Sequence, residues 1–385
     1  MLPLEDVKVL DLTHALAGPF CSTMLADFGA QVIKVEPPGH GDIARGWGAP
    51  LPGGETAYFV SLHRGKRGIV IDFKKPEGKA LFFRLVEQCD VVLENYRVGA
   101  LERLGLGYEE AKKRNPKIIY GSISGFGQDG PYRERGLISV TGEPGSSGTK
   151  CGVSIADMTA GMYCAYAVMV ALRAKDKTGE GQQIDISMME GQLALLGTTV
   201  ANYFANGKVP KPLGTQYSVV TPYQTFHTKT RDLALAIAGE KLWKKFCPVI
   251  GRPQLLEDPR YVNTVERSKH RDTLEATLQE AFMEKSYEEW EKILLDNDIP
   301  VGAINNLAQV VEHPQTKARG SFAEVNHPSV GKVKVVRSPV RMSKTPAKAP
   351  TPSPTLGQHT KEVLGEVLGL SEAEISKLAA AGVLG

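Results

Sequence analysis

Between residues 7 and 205, short runs rich in Val, Ile and Leu alternate with segments of helical character. This alternation limits the fold more than any other feature of the chain. Val7–Leu12, Gln31–Glu36, Gly68–Phe73, Asp90–Asn95, Lys117–Ser124 and Gln182–Ser187 read as strands. Helical patterns are predicted at about 19–28 and 76–88, at about 157–174, and from the end of the last strand to about 205. The first has Pro19 at its start and Gly29 at its end, the usual asymmetry of a helix. Strands separated by helices at this spacing form βαβ units around a parallel sheet. The class is α/β, with a large Rossmann-like open parallel-sheet domain.

Past residue 206 the pattern changes. A stretch rich in Gly, Pro and Lys over 207–222 reads as a linker, and 223–312 as a small α+β domain. That domain has a strand at 233–238 and helices near 240–250, 268–284 and 286–296. Residues 313–355 form a return linker with a β segment, 322–326 and 331–337, and the four prolines of 345–355 favour an extended crossing. The large domain would comprise 1–206 and 322–385. Two domains suit 385 residues at roughly one per 150.

Composition excludes several functions. A net charge of +3 is too mild to argue for nucleic acid. Cys21, Cys89, Cys151, Cys164 and Cys247 show no CxxC spacing, which suits free thiols in a reducing compartment. The eight histidines lack HxxH or HExxH spacing, so no metal site is expected. The N-terminus has no signal pattern and no apolar stretch reaches the ~20 residues of a membrane span, so a cytoplasmic protein without membrane contact is expected.

Three stretches could carry chemistry. GFGQDG (125–130) matches GxGxxG after a strand, but Pro131 follows at once. The dinucleotide fingerprint needs a helix N-terminus there for the pyrophosphate, so a turn is the better reading. Arg64, Lys66, Arg67 and Lys74 flank the third strand, while Arg97 and Arg103 follow the fourth. Ligands of open parallel sheets sit at the carboxyl ends of strands, so these cations suit an anionic, nucleotide-like ligand; a solvated rim would carry the same residues. In GVSIADMTAG (152–161), Asp157 stands among small and apolar residues at the start of a helix. It reads as an N-cap, as a carboxylate kept ionised for nucleophilic chemistry, or as both.

Read together, VLDLTHALAGPFCSTMLADFGAQVIKVEPPGHGD (9–42), HRGKRGIVIDFKKPEGK (63–79), VLENYRVGALERLG (92–105), GFGQDGPY (125–132), GVSIADMTAGMY (152–163) and LGQHTKEVL (356–364) resemble the class III CoA-transferases, of the formyl-CoA transferase and carnitine CoA-transferase type. The resemblance covers nearly the whole chain. It implies that Asp157 is the nucleophile, forming aspartyl anhydride and aspartyl-CoA thioester intermediates. It implies that coenzyme A or an acyl-CoA is the substrate, with no tightly bound cofactor, contacted by Leu16, Ala17, Ile71, Asp72, Phe73, Lys74, Asn95, Tyr96, Arg97, Arg103 and Arg135. It also implies a homodimer of two interlocked rings. Family members often carry a polar side chain where Leu16 stands and a basic one where Pro37 stands; neither residue here can form those hydrogen bonds. They usually also carry about a dozen more residues between Arg135 and Gly136.

The acids exchanged would be dicarboxylates, with succinyl-CoA as a donor. The alternative within the superfamily is a 2-methylacyl-CoA racemase or epimerase, in which the matching Asp works with a His of an AGHD-like motif. No such motif is present. A third alternative is a CoA-binding protein without activity.

Overall fold

The computed structural model describes residues 1–129 and 137–385. The chain divides into two compact units. Unit 1 comprises 1–136, 152–205 and 317–385; unit 2 comprises 137–151 and 206–316.

Unit 1 is built on a six-stranded sheet, β1 (Lys8–Asp11), β2 (Gln31–Glu36), β3 (Arg67–Val70), β4 (Val91–Glu94), β5 (Ile119–Ser124) and β6 (Gln182–Ser187). Every pairing is parallel and the order is β3-β2-β1-β4-β5-β6. The order reverses between β1 and β4, which makes that pair the topological switch point of the sheet. The helices of its first part are α1 (Ala17–Asp27), α2 (Ala57–Leu62), α3 (Pro76–Gln88), α4 (Ala100–Leu104), α5 (Tyr108–Arg114), α6 (Ile155–Thr178), α7 (Met188–Leu195) and α8 (Gly197–Asn206).

The strands are apolar on both faces because both faces are covered. Val9, Val32, Val91, Leu93 and Ile119 point to α1 and α6, where they meet Ala17, Cys21, Leu25, Ala160, Cys164 and Val168. Leu10, Ile33, Val92 and Ile118 point the other way, onto Leu81, Phe82 and Leu85 of α3 and Ala111 of α5. Leu10 and Val92 thus alternate with Val9 and Val91, the period of two that a strand imposes.

Unit 2 holds a three-stranded antiparallel sheet of β7 (Tyr223–Phe226), β8 (Leu233–Ala236) and β9 (Val301–Ala303). Its helices are α9 (Glu240–Val249), α10 (Thr264–Lys269), α11 (Arg271–Phe282), α12 (Tyr287–Asp296) and α13 (Leu307–Glu312). Phe226, Trp243, Phe246, Leu278, Phe282 and Trp290 form their common core. The chain re-enters unit 1 through α14 (Pro314–Ala318) and the hairpin β10 (Phe322–His327) and β11 (Gly331–Val336). It ends in α15 (Thr360–Leu368) and α16 (Glu372–Ala380), whose Val363, Leu364 and Ile375 close the core on the α3 side.

Several predicted boundaries move. Strand three stops at Val70, not Phe73, because the Asp72 carboxylate accepts the Lys74 N–H at 2.9 Å and turns the chain toward α3. The helix predicted over 268–284 is two, α10 and α11, which meet at His270. The last apolar helix of the first part breaks at Leu196 into α7 and α8. No membrane span was expected, yet α6, at 24 residues, is long and apolar enough to cross one by length and composition. In the fold it lies on the sheet, with Ala160, Cys164 and Val168 in the core.

Candidate active site

Because the six strands run one way, their carboxyl ends form one edge: Asp11, Glu36, Val70, Glu94, Ser124 and Ser187. The connection that follows β5 leads into α6, which must run back along the sheet to start β6. Its N-terminus, with Asp157, therefore belongs to the same edge. The loops after β1, β3 and β4 leave that edge too, and carry residues 16–17, 71–74 and 95–103.

Asp157 is the third residue of α6, since the helix begins at Ile155 with Ser154 as its N-cap residue. It is thus in the first turn, where the helix dipole favours an anion, and not in the capping position itself. One turn on, a Cβ at Gly161 would lie 2.6 Å from the Ala17 carbonyl oxygen. The glycine lets the first turn of α1 close against α6, and so brings Ala17 next to the turn that carries Asp157. Asp157 is half-buried.

Tyr58, on α2, was not singled out in the sequence. Burial, then the charges of Asp157 and Asp42, raise its phenol above the ordinary value, so it stays a neutral donor within electrostatic reach of both carboxylates. Trp47 packs edge-on against it at 5.6 Å, with the indole partly exposed.

Beneath the loop after β1 lies a group of buried charges, of which only Lys66 was singled out in the sequence, as a cation for an anionic ligand; it is instead buried against Asp11, while Arg64 pairs with Asp27 and Arg67, at the amino end of β3, with Glu362 and Glu366. Asp11 bonds Ser22 Oγ at 2.6 Å and the Thr13 N–H at 3.0 Å, and pairs with Lys66 at 3.1 Å. Burial pushes the Asp11 carboxyl up, but Lys66, Lys34 and its hydrogen bonds outweigh this and hold it at about 2. Burial brings the Lys66 ammonium down to about 8 against the pull of Asp11. Lys34 pairs with Asp42 at 3.0 Å and donates to the Thr13 carbonyl. His63 stacks on Phe59 at 4.0 Å, and burial, then Lys66 and Lys34, hold its imidazole neutral. A faint signal existed in the sequence: Asp11, Lys34 and Glu36 are charges inside runs that otherwise read as fully buried strands, where an ion is costly unless paired.

The residues assigned to CoA by resemblance fall into distinct groups. Ala17 and Ile71 are fully buried, backbone and side chain alike. Leu16 is half-buried and directly precedes α1. Asp72 is engaged with Lys74, and Phe73 lies edge-on to Phe82. The Asn95 side chain is committed to the loop after β1: its Oδ1 accepts the His14 N–H at 2.7 Å and its Nδ2 donates to the His14 carbonyl at 2.8 Å. Tyr96 meets the His14 ring edge-on at 4.7 Å. Asn95 and Tyr96 thus stitch the β1 and β4 loops together across the switch point. Lys74, Arg97 and Arg103 are exposed and form no ion pair among the described residues. Arg135 lies outside the described residues.

The GFGQDG stretch is a turn as far as it is described. Gly127 takes φ 93°, its N–H bonds Ser124 Oγ at 2.9 Å, and the Gln128 N–H bonds Asp185 at 2.9 Å.

Among the described residues the edge therefore offers a carboxylate in a helix first turn, a neutral phenol and three exposed cations without an ion pair. Such a set can hold a phosphorylated, thioester-bearing molecule and attack its carbonyl. The cavity of about 770 Å³ walled by Lys317, Arg319, Arg337, Arg341 and Lys348 is elsewhere. The Lys348 N–H bonds the Asp27 carbonyl, at the far end of α1 from Ala17.

Comparison with known proteins agrees with this chemistry. The family model described as CoA-transferase family III matches residues 4–360. Human succinyl-CoA:glutarate CoA-transferase is 38% identical over 393 positions, covering 99% of this chain and 90% of that protein. That alignment is longer than the 385 residues here, so the relative holds residues with no counterpart in this chain. Succinyl-CoA–D-citramalate CoA-transferase of Chloroflexus aurantiacus is 36% identical, covering 99% of this chain and 98% of that protein. Among solved structures, a CAIB/BAIF family protein from Brucella suis superposes with a TM-score of 0.83 at 36% identity, covering 95% of this chain and 99% of that one.

Proposed function

The chain belongs to CoA-transferase family III and transfers CoA between an acyl-CoA and a carboxylic acid, and from that premise we propose that Asp157 is its nucleophile. The Asp157 carboxylate attacks the thioester carbonyl, giving a mixed anhydride and CoA thiolate. The thiolate attacks the aspartyl carbonyl, releases the first acid and leaves an aspartyl-CoA thioester. The acceptor carboxylate attacks that thioester and frees the thiolate again. The thiolate then takes the acyl group from the second anhydride and restores Asp157.

The observation that carries this reading is the packing of Gly161 on the Ala17 carbonyl, which sets the Asp157 turn beside the first turn of α1. Backbone N–H groups at the start of α6 suit a developing oxyanion. The neutral Tyr58 hydroxyl is a second donor. Lys74, Arg97 and Arg103 would take the phosphates of CoA, with Leu16 and Asn95 along the path to the thioester.

Succinyl-CoA as donor and a dicarboxylate as acceptor follow from the names of the human and Chloroflexus relatives. CoA enters as substrate, with no tightly bound cofactor. The five free cysteines suit a reducing cytoplasmic compartment. A homodimer is also part of the reading. Met162, Tyr166, Met169 and Val170 of α6 and Phe204 of α8 leave a broad apolar surface exposed, of the kind a second copy covers.

Asp157→Ala tests the central role. Transfer from succinyl-CoA to glutarate is expected to fall to background while CoA still binds with a Kd within about threefold of the parent. Substantial transfer by this variant would contradict the assignment.

A further inference from the structure

The loop between β1 and α1 is held in an unusual way. Ala15 takes φ 65°, a left-handed backbone that side chains with a Cβ rarely adopt. Each residue of the turn is fixed by a side chain from a different element. Asp11 of β1 takes the Thr13 N–H, and Lys34 of β2 donates to the Thr13 carbonyl. Asn95, after β4, binds both backbone groups of His14. Asp42, from the loop after β2, accepts the Ala15 N–H at 3.0 Å.

Asp42 is itself fixed. It is fully buried, pairs with Lys34 at 3.0 Å, accepts the Ala44 N–H at 2.9 Å, and its own N–H bonds Glu36 at 2.9 Å. Leu16 and Ala17 follow directly, and Ala17 packs on the helix that carries Asp157.

We propose that Asp42, backed by Lys34, is a positioning residue for CoA transfer: by gripping the Ala15 N–H it holds the turn that sets Leu16 in front of α1, the helix packed on the one that carries Asp157. The inference rests on the reading of Asp157 as nucleophile. It assigns Asp42 no contact with CoA. Its loss should slow acyl and CoA transfer to Asp157 without loosening the grip on CoA.

Two double variants isolate the acceptor. Both Asp42→Asn/Lys34→Met and Asp42→Leu/Lys34→Met remove the buried ion pair as a neutral unit. Only the first keeps an oxygen for the Ala15 N–H. The rate of CoA adduct formation on Asp157 is measured by mass spectrometry, and the Kd for free CoA by calorimetry. The Leu double should form adduct at least about tenfold more slowly, with the Kd within about threefold of the parent; the Asn double should stay within about threefold in both. Asp42→Asn alone, which keeps the oxygen but strands Lys34, should lose thermal stability and keep its rate. Equal rates for the two doubles, or a tenfold loss in Asp42→Asn while folded, would overturn the proposal. If the parent protein itself forms no adduct, the failure lies with Asp157 and not with Asp42.

Discussion

Glu94 shows how the carboxyl edge sets single-residue energetics. It ends β4, is 7% exposed, and accepts the Tyr96 N–H at 2.8 Å. Burial raises its carboxyl to about 7, only partly offset by Ser122 and the Tyr96 N–H. A carboxyl whose folded pKa lies above its unfolded value stabilises the fold most when protonated. Its contribution is full below pH 4.5 and is lost as the pH rises to about 7. Glu94→Gln keeps the neutral form at every pH. It should stabilise the protein at pH 8 by about 1–3 kcal/mol and leave it unchanged near pH 4.5, as read by urea unfolding. Equal effects at the two pH values would show that Glu94 ionises freely. Such residues are hard to read in sequence, because a Glu at the end of an apolar run looks like any strand terminus. Asp157 drew notice for another reason: a carboxylate in an otherwise small and apolar stretch, which helix capping or chemistry would each explain.

Among elements, the pair α1 and α6 matters most, since one carries the turn at Leu16 and the other Asp157. Gly161 sets their distance. Gly161→Val would drive a branched side chain into the Ala17 carbonyl and force the helices apart. A cost of about 1–3 kcal/mol is expected, with a fall in transfer rate larger than any change in CoA affinity. A variant as stable and active as the parent would show that close packing here is dispensable. The strands were legible because buried parallel strands are nearly uniform runs of Val, Ile and Leu, and few other structures use such runs. Their order in the sheet was not, since adjacency is fixed by which helix covers which face. The turn at 71–74 was misread as strand because Ile71 and Phe73 are apolar, while the Asp72 turn that ends the strand is a local hydrogen bond.

At the scale of the whole molecule, the chain leaves unit 1 at Ala205 and returns at Lys317, and α6 to α8 carry exposed aromatic and aliphatic side chains. The proposed homodimer predicts a solution mass of twice the 41.7 kDa chain by light scattering at micromolar concentration. A single-chain mass would contradict it. The interlocking of two rings came from resemblance and has no counterpart in the periodicity of a sequence, because threading is a property of two chains. The pairing of the buried charges under the β1 loop was hidden as well, because it joins different elements: Asp11 of β1 with Lys66 before β3, and Lys34 of β2 with Asp42 in the loop after it. Only the folded sheet brings them to one edge.

The central claim is that this edge makes Asp157 a carrier of CoA. It is tested most directly by intact-protein mass spectrometry after mixing with succinyl-CoA. The account predicts a CoA-sized adduct on Asp157, removed by hydroxylamine and absent in Asp157→Asn. No adduct, with solvent deuterium instead entering the α-carbon of a 2-methylacyl-CoA, would contradict it.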